Sequence, residues 1–75
     1  MPKLPIISGK QAIHCFEKLG YRVTRQRGSH VRLHHTFDKT KKPLTIPNHK
    51  ILGRGLIRKL MRDAEITLGQ LLETI

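Results

Sequence analysis

The chain predicts an α+β fold of order α-β-β-β-α-α, with helices packed on one face of an open, three-stranded antiparallel sheet. Three observations carry that prediction. Apolar residues recur at helical spacing towards both ends of the sequence, whereas the middle alternates apolar with polar side chains. Ser8-Gly9-Lys10-Gln11 and Thr67-Leu68-Gly69-Gln70 have the form of capping boxes and mark two helix starts. Gly28-Ser29, set between alternating runs, supplies the turn chemistry of a hairpin. At 75 residues the chain has the size of one small domain, expected over residues 1–75.

The first helix is expected over residues 8–19, with Ala12, Ile13, Phe16 and Leu19 as its apolar stripe and Lys10, Glu17 and Lys18 as a solvated face. Cys15 flanks the stripe and reads as a structural thiol. Gly20 closes the helix in a left-handed cap, after which Tyr21 can fold back towards Phe16. Residues 21–26 alternate and are rich in β-formers, so they read as strand one. Arg27-Gly28-Ser29 is the turn, and His30 to His35 form strand two. Residues 36–42 are polar, cationic and aperiodic, which is the character of a loop. Pro43 to Pro47 form a short third strand whose prolines suit strand ends. After a connector holding Gly53 and Gly55, a helix over residues 54–64 buries Leu56, Ile57, Leu60, Met61 and Ala64. Arg54, Arg58 and Arg62 share its outer face, an arrangement that repels itself and favours an anion nearby. Ile66 and Leu71 are spaced as a hydrophobic staple for the last helix.

Charge is the strongest global property. Fifteen Lys and Arg against five acids give a formal net charge of +10, which points to a polyanionic partner. An anionic membrane surface fits less well than nucleic acid or an acidic protein, because the cations are not confined to one face of a long helix. The single cysteine permits no intrachain disulfide, so a reducing, cytoplasmic setting is expected. No apolar run approaches the ~20 residues of a membrane span, and Met1 to Ile7 is too short and too Pro-interrupted for a signal peptide.

Strand two concentrates the chemistry. Val31 and Leu33 should face the core, leaving His30, Arg32 and His34 on the open side, with Arg22 or Arg25 from strand one. From Arg22 to Lys42 there are seven basic residues and one acid, Asp38. The expected phosphate-contacting set is therefore Arg22, Arg25, Arg27, Arg32, His34, Lys39, Lys41 and Lys42. RNA cleavage without a metal needs a base for the 2′-hydroxyl, cations for the charged phosphorane and an acid for the departing 5′-oxygen. Histidine serves either proton role near neutrality, its ordinary pKa being ~6.5. His30 leaves the Gly28-Ser29 turn at the start of its strand, both exposed and held, and is the candidate catalytic residue.

Duller readings compete. A histidine on an exposed strand is commonly plain surface. Zinc on His30, His34 and His35 is disfavoured, because His34 and His35 point to opposite faces and no second cysteine exists. No P-loop or Ser-His-Asp set is present, and neither a metal nor a cofactor is expected. Only Tyr21 and Phe37 could stack on bases from outside, so shape and phosphate contacts should dominate.

Several stretches taken together resemble the HicA family of toxin mRNA interferases. They are Ser8-Gly9-Lys10 ahead of a helix ending Leu19-Gly20-Tyr21, Arg27-Gly28-Ser29-His30, Thr45-Ile46-Pro47-Asn48-His49, residues 53–60 and Ala64-Glu65-Ile66-Thr67. The resemblance implies a double-stranded-RNA-binding-like fold, metal-independent endoribonuclease activity on mRNA, a HicB-type antitoxin as partner, and catalysis by the histidine of the Gly-Ser-His motif, here His30. Leu56 and Glu65 depart from it, standing where the family often has Thr and Gly. Two other functions remain open on the residues alone: a non-catalytic RNA-binding module of the same fold, and an interaction protein that docks an acidic partner.

Overall fold

The computed structural model describes residues 3–75; Met1 and Pro2, the start of the segment judged too short for a signal peptide, lie outside them. Helix α1 (Gly9–Lys18) begins where the capping box requires. The Ser8 hydroxyl accepts the Gln11 N–H at 3.0 Å, and the Gln11 carboxamide accepts the Ser8 N–H at 2.9 Å. Its buried face is Ala12, Cys15 and Phe16, with Ile13 and Leu19 only half-buried, so the stripe is rotated towards the thiol relative to expectation. Gly20 takes φ +103°, and the reversed chain sets the Tyr21 ring edge-on to Phe16 at 6.0 Å.

Three strands follow, β1 (Tyr21–Arg27), β2 (His30–His35) and β3 (Leu44–Pro47), antiparallel and in the order β1-β2-β3. Arg27 belongs to β1 rather than to the turn, because the hairpin closes in two residues. Gly28 has φ +59° and Ser29 does not share the positive φ, the signs of a type II′ turn. Residues 36–43 form the irregular loop, one residue longer than expected because Pro43 lies outside β3, and it is pinned by the Asp38 carboxylate, which accepts from the N–H and the hydroxyl of Thr40. These two bonds hold Asp38 below the usual carboxylate range.

Helix α2 (Arg54–Ala64) has the expected bounds and buries Ile57, Leu60 and Ala64. It ends at Glu65, whose φ of 58° and ψ of 45° make it a left-handed cap without glycine. The Lys41 ammonium donates to the Ala64 carbonyl at 2.7 Å, satisfying one of the orphan acceptors of that terminus. Helix α3 (Leu68–Glu73) starts from the Thr67–Gln70 capping box. The core between sheet and helices contains Val31, Leu33, Leu44 and Ile46 from the strands, with Phe16, Leu60 and Leu71 against them. Ile7 and Leu52, outside every periodic run, are buried there too.

One expectation is corrected. Tyr21 cannot stack on a base, because its ring is 3% exposed and its hydroxyl donates to the Lys42 carbonyl at 3.2 Å. Burial first, then the acids Asp63, Glu65 and Asp38, pushes its phenol up. Phe37, at 86% exposed, remains outside. No helix among the described residues is long and apolar enough to cross a membrane.

Candidate functional site

Register decides which side chains share the open face. Residues directly opposite on neighbouring strands point to the same side. Val31 lies opposite Ile46 and Leu33 opposite Leu44, all four buried. The alternate positions therefore face outward: His30, Arg32 and His34 on β2, Thr45 and Pro47 on β3. On β1 the partners of those outward residues are Arg27 for His30, Arg25 for Arg32 and Arg22 for His34.

All three arginines of β1 reach this face only because the strand is bulged. Strict alternation from Arg22 would send Arg25 and Arg27 to the core side. Instead the register shifts between Val23 and Arg25, leaving Thr24 as the extra residue. The Thr24 hydroxyl lies 2.7 Å from His34 Nδ1 and donates to the Arg32 carbonyl at 3.3 Å. The alternation had suggested Arg22 or Arg25; the bulge delivers both, together with Arg27.

His30 stands at one end of this face. The turn before it is braced by the Gln26 carboxamide, which donates to the Gly28 carbonyl at 3.1 Å. The Ser29 carbonyl accepts the Asn48 N–H at 2.6 Å, and the Gly9 N–H donates to the His49 carbonyl at 2.8 Å. Three segments distant in sequence thus meet beside His30: the start of α1, the β1–β2 turn and the residues after β3. Gly9 makes the junction possible. A Cβ there would sit 2.0 Å from the Pro47 carbonyl oxygen and 2.8 Å from Asn48 Cα, so only glycine lets the two backbones approach. Periodicity and capping gave Gly9 no such role, since the contact is with a segment almost forty residues away.

The remaining candidates divide. Arg32 is partly buried, its guanidinium donating to the Thr45 hydroxyl at 2.8 Å on the open face. His34 is on that face but bound to Thr24. Lys39, Lys41 and Lys42 belong to the loop beyond the other end of β2, about 17 Å along the strand from His30. Lys41 is tied to Ala64, while Lys39 and Lys42 are exposed. His35 is structural: its Nδ1 accepts the N–H groups of Phe37 and Asp38 at 3.2 and 2.9 Å, and its ring lies edge-on to Tyr21. On α2, Lys59 pairs with Asp63 at 2.9 Å, and that bond holds the Asp63 carboxyl below its usual range. Arg54, Arg58 and Arg62 are exposed on the same helix. A groove of about 340 Å³ between α1 and the C-terminal Thr74 and Ile75 includes none of the open-face residues.

A family model described as the HicA toxin of bacterial toxin–antitoxin systems matches residues 9–66, well over half of the chain. The chain belongs to the HicA toxin family. A toxin role in a toxin–antitoxin pair follows from membership. The HicA match runs from Gly9, at the junction, to Ile66, just past α2, and so includes the whole sheet with Gly28, Ser29 and His30. Searches of curated proteins and of solved structures return no match.

Proposed function

We propose that this HicA-family chain acts as one toxin domain, similar to double-stranded-RNA-binding folds, that cleaves mRNA and so blocks translation. The observation that carries the proposal is the setting of His30. Its imidazole is exposed on the open face, anchored by a two-residue turn, and opposite Arg27 on the neighbouring strand. Gly28 and Ser29 hold the turn. Arg22, Arg25, Arg27, Arg32 and His34 line the face along which a phosphate backbone would lie, with Lys39 and Lys42 further out.

The chemistry is transesterification. His30 takes the proton from a ribose 2′-hydroxyl, whose oxygen attacks the adjacent phosphorus. Guanidinium groups of Arg27 and Arg32 stabilise the additional charge on the phosphorane. The products are a 2′,3′-cyclic phosphate and a 5′-hydroxyl, and neither metal nor cofactor takes part. A HicB-type antitoxin in the cytoplasm neutralises the toxin by covering His30 and the arginine face.

The test is incubation of purified protein with labelled mRNA in EDTA, comparing wild type with His30→Ala. Losing a general acid or base lowers the rate about 10²–10⁴-fold. Because His30 is exposed, its removal should change stability by less than about 0.5 kcal/mol. Cleavage by wild type alone, leaving cyclic phosphate ends, is the expected result. Equal cleavage by both proteins, 5′-phosphate products or a requirement for added metal overturns it. If both bind RNA and neither cuts, the chain is a non-catalytic RNA-binding module.

A further inference from the structure

We infer that His49 is the second proton-transfer residue, the acid that protonates the departing 5′-oxygen. The inference rests on the ribonuclease reading above and completes it, since a single histidine cannot be base and acid in the same step.

The five histidines separate by what their imidazoles already do. His14 lies 3.9 Å from Glu17 on α1. His34 Nδ1 is bound to Thr24, and His34 stands four residues along β2 from His30, about 13 Å away. His35 Nδ1 caps the start of the following loop. Only His30 and His49 are exposed with imidazoles that have no hydrogen-bond or ion-pair partner among the described residues.

Those two occupy the same end of the sheet. Pro47 is the cross-strand neighbour of His30, and the Asn48 N–H is bonded to the carbonyl of Ser29, the residue before His30. His49 follows directly. Its carbonyl is held by the Gly9 N–H, so its backbone is fixed while its side chain is left uncommitted. The main chain does the anchoring, and the imidazole is left open to solvent and to a substrate lying at this end of the sheet.

The step balances. As the 2′-oxygen–phosphorus bond forms, the 2′-hydroxyl proton passes to neutral His30. As the phosphorus–5′-oxygen bond breaks, protonated His49 transfers its proton to that oxygen, releasing a 5′-hydroxyl. Exchange with water restores both imidazoles.

The experiment uses the whole chain and an oligoribonucleotide spanning a mapped cleavage site, made with either oxygen or sulfur as the 5′ bridging atom. A thiolate leaves without protonation, so the sulfur substrate has no need of an acid. His49→Ala and His49→Asn should each cut the oxygen substrate about 10²–10⁴-fold more slowly than wild type. Both should cut the sulfur substrate within a few-fold of the wild-type rate, roughly, if loss of the acid is the whole defect. His30→Ala should fail on both. Equal defects of the His49 variants on the two substrates, or none on either, overturn the inference and leave the His30 reading intact. Failure of wild type to cut the oxygen substrate removes the ribonuclease reading itself, and this inference with it. Thermal melts matching wild type show that the variants are folded.

Discussion

Replacing Gly9 by Ala tests whether the junction beside His30 is as tight as its geometry indicates. The added methyl would lie 2.0 Å from the Pro47 carbonyl oxygen, 2.8 Å from Asn48 Cα and 3.0 Å from the His49 nitrogen. All three are backbone atoms, so no side chain can swing aside, and α1 or the chain after β3 must move by more than 1 Å, roughly, to restore ordinary contact. Overpacking of this kind costs about 1–3 kcal/mol. Displacement also strains the 2.8 Å bond from Gly9 to His49, worth about 1 kcal/mol. Against these stands up to about 1 kcal/mol gained by replacing a helical glycine with alanine. The net loss is about 1–3 kcal/mol, which for a domain this small lowers Tm by roughly 5–20 °C. Gly55→Ala is the control. Gly55 lies in the first turn of α2, where an added methyl would meet no heavy atom within 4 Å, and its replacement should stabilise by about 0.5–1 kcal/mol. Differential scanning calorimetry of the three proteins decides the matter. If Gly9→Ala melts at or above wild type, the close approach of the two backbones is refuted, and with it the placement of Asn48 and His49 beside the turn.

Two further outcomes follow from particular contacts. Glu65 holds a left-handed conformation that costs a side-chain-bearing residue about 1 kcal/mol, so Glu65→Gly should raise stability by about 0.5–1 kcal/mol in urea unfolding; an unchanged midpoint would show that the cap carries no strain. Arg27→Ala should reduce the slope of log binding constant against log salt for RNA by about 0.7–0.9, whereas Lys41→Ala should leave that slope unchanged and lower stability by about 1 kcal/mol through the loss of its bond to Ala64. A change of slope for Lys41→Ala would place the Lys41 ammonium itself in the phosphate path, free of Ala64.

The elements, and the chemistry available to them, are written locally along the chain. Capping boxes act within four residues, and both formed as written at Ser8–Gln11 and Thr67–Gln70. Alternation is equally local, and β2 occupies residues 30–35 as it predicts. The stretch rich in arginine and histidine was legible from composition, as was His30 at the exit of a glycine turn. Where pattern and structure part, the controlling interaction is non-local. The fold-back of Tyr21 onto Phe16 was legible, but its full burial was not, because that needs the His35 ring across the sheet and the Lys42 carbonyl of the far loop.

The bulge at Thr24 is set by pairing against β2, a competition between registers that one strand's residues do not reveal, and it turns Arg25 and Arg27 to the outside. The meeting of Gly9 with Pro47, Asn48 and His49 is likewise invisible to periodicity, which reports only on residues a few positions apart. Local sequence thus dictates where helices and strands form and which strand carries His30. Tertiary packing selects which cations share its face and which distant backbone segments meet beside it, because close backbone approach and strand register depend on residues far apart in the chain.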